Sequence, residues 1–197
     1  MISYMDRTGI YYDGSQLRSQ FNYELSKQRG DSIICFKGPM SVSEHMVDTE
    51  DRIEEDFIWS PYAYNFIIEI FHINIETIIL YQRHLMSIIT KVLERNLTND
   101  KYSVDLNGDD IMVTLSKEKG PRKLSVSIAT VSHISGLIHT GLNIKVDDTI
   151  PVPAIGLSNL FMDFSDSKLD IMISNCMEEF KRFVIDIKKA SVKVRGV

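Results

Sequence analysis

The sequence predicts an α+β protein, a mostly antiparallel sheet with helices packed on it. Three observations carry this reading. Apolar residues recur at a 3.6-residue period from about Ile75 to Asn96 and again from about Ser167 to Lys189. Between them, residues 102–146 read as short strands, broken by turn signals at Asn107-Gly108-Asp109 and Lys119-Gly120-Pro121. The helical patterns flank this run instead of alternating with its strands, which argues against a parallel doubly wound sheet. The 197 residues predict one domain, 1–197, and a hydrophobic share of 44% allows a core without disulfide or metal staples.

Taken in order, residues 1–13 read as a short strand. Asp13 or Ser15 is placed to cap a helix running to about Arg29, with Leu17, Phe21 and Leu25 as its stripe and Gly30 as its stop. Ile33 to Phe36 is a short buried strand ended by Gly38-Pro39. Residues 43–56 are strongly acidic, either a solvated loop or a helix with Glu44, Asp48, Asp51 and Glu55 on one face. Ser60-Pro61 reads as a helix start, with the helix running to about His72. The long helix from Ile75 follows, with Ile75, Ile78, Ile79, Leu85, Ile88, Ile89 and Val92 as its stripe. Tyr102–Leu106 and Ile111–Leu115 form a hairpin across the Asn-Gly turn. Pro151 and Pro153 mark an exposed connector, residues 157–163 a short helix, and the last helix buries Leu169, Met172, Ile173, Cys176, Phe180, Phe183, Val184 and Ile187.

The bulk numbers exclude some classes. A net charge of −5 argues against nucleic acid, whose phosphates call for a basic surface. Two cysteines, Cys35 and Cys176, make neither a disulfide framework nor a zinc site. No run approaches the ~20 apolar residues of a membrane span, and the first residues do not read as a signal peptide. A cytoplasmic setting is the expectation.

Chemistry concentrates in the paired strands 122–131 and 136–145. Strand alternation puts Leu124, Val126 and Ile128 on one side of the first, with Lys123, Ser125, Ser127 and Ala129 on the other. In the second, Ile138, Leu142 and Ile144 oppose His139, Gly141 and Asn143. A face of small residues with one cation at its edge suits the floor of a ligand cleft. Asp13, Gly14, Ser15, Gln16 and Arg18 form a second candidate, a polar grip for an anion at a helix start. Asp48, Glu50 and Asp51, with His45 beside them, are dense enough in carboxylates to hold magnesium, although such runs are more often solvated.

The stretch Arg122 to Ala129, followed by Leu137-Ile138-His139-Thr140-Gly141-Leu142-Asn143-Ile144, resembles the paired strands of the biotin and lipoyl ligase group, including the octanoyl transferases. That resemblance implies the fold shared with class II aminoacyl-tRNA synthetases. It implies that Lys123 holds an acyl carbonyl or the phosphate of an acyl adenylate, with ATP and magnesium as cofactors. The chain also resembles an uncharacterised family, domain of unknown function 366, through Tyr12 to Leu17, Met46 to Asp51 and Arg122 to Thr130. It departs from the ligases in two respects: the glycines before residue 108 stand singly at 9, 14, 30 and 38, so no glycine-rich phosphate loop precedes the lysine strand, and Cys176, the late cysteine where the octanoyl transferases carry their nucleophile, falls on the apolar stripe of the last helix.

The functional expectation is a protein binding a small carboxylate, acyl group, acyl adenylate or nucleotide over strands 122–131 and 136–145, as a ligase- or acyltransferase-like enzyme. The alternatives are a non-catalytic metabolite- or nucleotide-binding module on the same fold, and a dimeric structural or interaction protein.

Overall fold

The computed structural model describes residues 1–6, 8–97, 100–116 and 120–196. The fold is α+β. Its main sheet has the order β1 (Ile2–Met5), β2 (Ser32–Val42), β3 (Ile58–Phe71), β8 (Ser135–Lys145) and β7 (Ser125–Val131). All neighbours are antiparallel except β1 and β2. A second, three-stranded antiparallel sheet is formed by β4 (Tyr102–Asn107), β5 (Asp110–Leu115) and β6 (Arg122–Lys123). The helices are α1 (Phe21–Ser26), α2 (Thr49–Ile53), α3 (Ile75–Asn96), α4 (Leu157–Leu160) and α5 (Asp166–Ser191).

The main sheet is apolar on both faces. Helix α3 packs on β7 and β8, α5 on β1 and β2, and the two helices pack on each other. Their side of the sheet carries Cys35, Phe66, Ile68, Ile138 and Leu142, buried with Leu85, Ile89, Ile173 and Phe180 of the helices. The small sheet adds Val104, Ile111 and Val113 to the same core. The opposite face carries Ile34, Phe36, Met40 and Ile67, covered by Tyr12 and Met46. Apart from α1, whose Phe21 and Leu25 pack on it, this second layer is made largely of irregular chain, and the candidate site lies in it.

Helix α3 spans the residues its period predicts, with Asn74 as N-cap accepting from Thr77 N at 2.9 Å. Ile75 and Ile79 of its predicted stripe are nevertheless well exposed, as is Ile187 of α5. The Asn-Gly hairpin is present, with Gly108 at φ +65°. In the predicted turn at 119–121, Lys119 lies outside the described residues.

Three elements differ from the sequence reading. The segment from Ser60 is a strand, not a helix running to His72. β3 lies between β2 and β8 and buries both faces from Ala63 to Ile70. A strand covered on both sides shows no alternation, so its apolar run carries no period to distinguish it from a helix. Pro61 is accommodated at its end, where the β2–β3 register shifts between Gly38 and Met40 and β8 has no residue paired to it. The same shift lets β2 run through Gly38-Pro39 to Val42, past the predicted end at Phe36. A Cβ at Gly38 would lie 1.9 Å from the carbonyl oxygen of Ile10, so the close approach of that loop needs glycine.

The helix expected from Asp13 to Arg29 shrinks to α1, Phe21–Ser26. Polar side chains satisfy the preceding backbone locally and so compete with the helix. Asp13 accepts from Ser15 N at 2.9 Å, and Gln16 accepts from Asp13 N at 3.1 Å and donates to Tyr11 O at 3.1 Å. The buried Glu69 of β3 then takes Gln20 N with both oxygens, at 2.9 and 3.1 Å, and the hydroxyl of Ser135 at 2.8 Å. The acidic run forms only the single turn of α2, capped by Asp48, which accepts from Glu50 N at 2.8 Å.

Candidate functional site

Lys123 sits where the two sheets meet. Its backbone pairs with Met112 of β5 on one side. On the other, its N–H donates to Pro153 O at 2.8 Å and its carbonyl accepts from Ile155 N at 3.0 Å. Leu124, fully buried, then carries the chain from one sheet to the other: its N–H donates to Ile111 O and its carbonyl accepts from Asn143 N. This crossing interrupts the simple alternation. Lys123 and Val126 therefore both reach the cleft, although a continuous strand would send them to opposite faces.

The cleft has two chambers, of about 360 and 260 Å³, and Asp51, Ile58, Lys123 and Val126 line both. The larger is bounded by Tyr12 and Leu17 from the first loop, Met46 to Asp51 from the acidic segment, and Val126, Ile128 and His139 from β7 and β8. The smaller is bounded by Phe57 and Trp59, Asn143, and the Ile150 to Ala154 connector. Lys123 Nζ is 2.9 Å from Asp110 Oδ2, and the lysine side chain is about one-third exposed (32%). Burial pushes the Asp110 carboxyl above its usual range, while the adjacent Lys123 charge acts against that shift.

The sequence-predicted residues divide into two groups. Lys123, Ser125, Ser127, His139 and Asn143 gather around the cleft, as do Asp48, Glu50 and Asp51. Gly141 lies on the same face, but a Cβ there would meet Met40 Sδ at 2.9 Å, so its smallness admits Met40 and not a ligand. The predicted floor of small residues is corrected. The cross-strand partners of His139 and Gly141 are Ile128 and Val126, so the floor beside them is aliphatic. The serine hydroxyls are engaged elsewhere. Ser125 accepts from Ile111 N at 2.8 Å, and Ser127 donates to His139 O and takes Gln82 Nε2 of α3 at 3.0 Å.

Asp13, Gly14, Ser15, Gln16 and Arg18 are not brought to either chamber wall; their neighbours Tyr12 and Leu17 are. Asp13 holds Ser15, whose hydroxyl keeps that carboxyl below its usual range, and Arg18 pairs with Glu24 at 2.5 Å on the surface. Gly14, at φ +94°, lets the loop close against His45, whose Cβ a side chain would meet at 2.8 Å. Among the described residues no group of three or more histidine, cysteine, aspartate or glutamate side chains is placed to share one metal ion.

His139 is 3% exposed and lies flat against Tyr12, with ring centroids 3.8 Å apart and planes 11° apart. Its Nε2 is hydrogen-bonded with the Asn65 side-chain amide, 3.1 Å from Oδ1. Burial lowers its pKa to about 3, so the ring is neutral. Both cysteines are buried, and burial raises their thiols, Cys176 to about 12 and Cys35 well above the usual value. Neither is a nucleophile at neutral pH. Sequence reasoning missed Tyr12 and Asp110. Their signals were the aromatic pair preceding Asp13 and the second aspartate after the Asn-Gly turn.

Residues 1–195 match the family described as Domain of unknown function (DUF366). The chain belongs to this family. An uncharacterized protein of Methanocaldococcus jannaschii is 31% identical over 186 residues, covering 90% of this chain and 79% of its own. A protein of unknown function from Pyrococcus horikoshi superposes with a TM-score of 0.81 at 32% identity, over 98% of this chain and 99% of that one. More distant structures share the fold. A chain from the structure of an archaeal lipoylation system, a bi-partite lipoate protein ligase and its E2 lipoyl domain from Thermoplasma acidophilum, gives a TM-score of 0.56 at 11% identity, over 91% of this chain and 83% of that one. A biotin protein ligase mutant from Aquifex aeolicus, in complex with biotin, gives 0.52 at 10%, over 92% and 70%. The α+β core is thus of the biotin/lipoyl ligase, class II synthetase-like kind. No helix among the described residues is long and apolar enough to cross a membrane.

Proposed function

We propose that the cleft over β7 and β8 binds a small acyl ligand, with Lys123 holding its carbonyl or acyl-phosphate oxygen, and that the protein acts as a ligase- or acyltransferase-like enzyme. The observation that carries this reading is the placement of Lys123. Its backbone is pinned by hydrogen bonds on both sides, its ammonium is held by Asp110, and its side chain lines both chambers. Such a fixed charge stabilises oxygen that becomes more negative during acyl activation, and it needs little rearrangement to do so. The aliphatic floor of Val126 and Ile128 suits the hydrocarbon part of an acyl group. The solved ligases that share the fold add support by analogy.

Activation by ATP is part of the proposal. Magnesium needs only one or two protein carboxylates when phosphate oxygens supply the rest. The carboxylates of Glu50 and Asp51 line the larger chamber and accept no hydrogen bond from the described residues, so they fit that role. The test is carboxylate-dependent exchange of pyrophosphate into ATP across a panel of short acids. We expect exchange with at least one acid and a fall of about a hundredfold or more in Lys123→Ala. Folded protein that exchanges with no acid in the panel removes the adenylation reading.

The second reading, a binding module without catalysis, is favoured by the burial of both thiols and by the isolated glycines of the first hundred residues. Native mass spectrometry separates the two. A small molecule that is retained and never turned over assigns the module; one that is consumed on addition of ATP assigns the enzyme.

A further inference from the structure

The two chambers share Lys123 and Val126 but are kept apart along β8. His139 lines the larger and Asn143 the smaller, about 13 Å apart along the strand. Gly141 stands between them on the same face, and with no side chain of its own it would leave a trench joining the chambers. The thioether of Met40 fills that trench: a Cβ on Gly141 would lie 2.9 Å from Met40 Sδ, 3.0 Å from Cε and 3.2 Å from Val126 Cγ2. Met40 is 1% exposed and lines the smaller chamber. Its backbone is held by the first loop, where Tyr12 N–H donates to Pro39 O at 3.0 Å and Tyr12 O accepts from Ser41 N at 2.9 Å. The ring of the same Tyr12 stacks on His139 and lines the larger chamber. Tyr12 and Met40 are therefore neighbouring parts of one wall. Val126 is the cross-strand partner of Gly141, so hydrocarbon lying on Val126 comes up against the Met40 thioether.

We infer that Met40 is the specificity-determining residue of the cleft: its thioether closes the trench over Gly141 and so sets the length of acyl chain that fits between Lys123 and the wall. This rests on the acyl reading given above and names the substrate class of that same site, an unbranched aliphatic acid of limited length. The side chain suits the task. It is apolar, so it stops hydrocarbon without leaving a polar group unpaired. It is also long and unbranched, and so reaches from β2 to the glycine of β8 across the intervening β3.

Pyrophosphate exchange with unbranched carboxylic acids of four to twelve carbons tests it. The wild type is compared with Met40→Leu, Met40→Val and Met40→Ala, with circular dichroism to show that each is folded. The readout is the ratio of kcat/KM between two acids in one protein, so a general loss of activity cancels. We expect the wild type to have a sharp upper limit of chain length and Met40→Leu, which conserves volume, to keep it. Met40→Ala should raise the limit by about two or three carbons, because the space of the atoms beyond Cβ passes to the substrate. For the acid two carbons past the wild-type limit, the ratio to the acid at the limit should rise about tenfold or more in Met40→Ala, and by less in Met40→Val. If Met40→Ala does not fold, Met40→Val carries the test with the same direction expected. Length profiles in the valine and alanine variants within about twofold of the wild type overturn the inference and leave the acyl reading standing, as does a wild type without a length limit. Exchange with no acid in the wild type overturns the inference and the ATP-dependent reading together.

Discussion

His139 shows how burial keeps a titratable residue neutral. The ring is stacked on Tyr12, bonded to Asn65 and almost wholly buried, so its charged form has lost its hydration with no carboxylate to compensate. Its folded pKa of about 3 lies below the ordinary value of 6.5. The unfolded chain therefore binds the extra proton first as pH falls. The stability due to the neutral ring is fully present above about pH 6.5 and is lost progressively from there toward pH 3. Between pH 6.5 and 5 the loss amounts to about 2 kcal/mol. Urea denaturation at pH 7, 6 and 5 measures it. The wild type should lose stability over that window, before most carboxylates titrate, while His139→Gln, neutral at every pH, should lose about 2 kcal/mol less. Parallel pH profiles for the two proteins would show that the ring is protonated in the fold.

At the scale of elements, α2 is the part whose role the sequence leaves most open. Five residues make a single turn that would not persist alone, and Asp48 secures it by accepting from Glu50 N and Asp51 N. The turn carries Asp51 to the junction of the two chambers. Asparagine caps as well as aspartate, so Asp48→Asn should change stability by less than about 0.5 kcal/mol, whereas Asp48→Ala should cost about 1 kcal/mol. Hydrogen exchange at residues 49–54 should accelerate in the alanine variant alone. Equal acceleration in both would mean that the carboxylate charge, not the cap, orders the turn. How much of an element was legible follows from how it is buried. The span of helix α3 was readable, though not the exposure of Ile75 and Ile79, because one face meets the core and the other meets water. β3 was not, because burial on both sides erased its alternation and Ser60-Pro61 imitates a helix start. The parity of β8 was readable, and with it His139 and Asn143. The floor contributed by β7 was not, because the chain changes sheets at Leu124 and hydrogen bonds to Ile111, Gln82 and His139 claim the two serines. No local pattern announces a sheet crossing, since its cause is a partner strand more than ten residues away in the chain.

At the scale of the whole molecule, the crossing at Leu124 decides how the protein unfolds. The small sheet has no core of its own. Val104, Ile111 and Val113 are buried in the same cluster as Phe66 and Ile138 of the main sheet and Ile89 of α3. Leu124 joins the sheets through its backbone and is itself fully buried. Because the two sheets share this apolar cluster, they have no interface at which to part from each other, so unfolding should be a single cooperative transition. The only tryptophan, Trp59, borders the smaller chamber and donates to Thr149 Oγ1 at 2.7 Å, which makes its fluorescence a report on the cleft end of the main sheet. In urea, the fluorescence and far-ultraviolet circular dichroism midpoints should coincide, and amides of Ile111 and Val113 should exchange with the same protection as those of Phe66 and Ile68. Leu124→Ala should lower stability by about 2–5 kcal/mol, because a cavity opens where the two sheets share packing, and should keep the two midpoints together. If β5 amides instead exchange well before those of β3, the small sheet is a separate unit. Lys123 would then be carried on an element that moves relative to the floor of the cleft, and its charge would not be held in advance of the ligand.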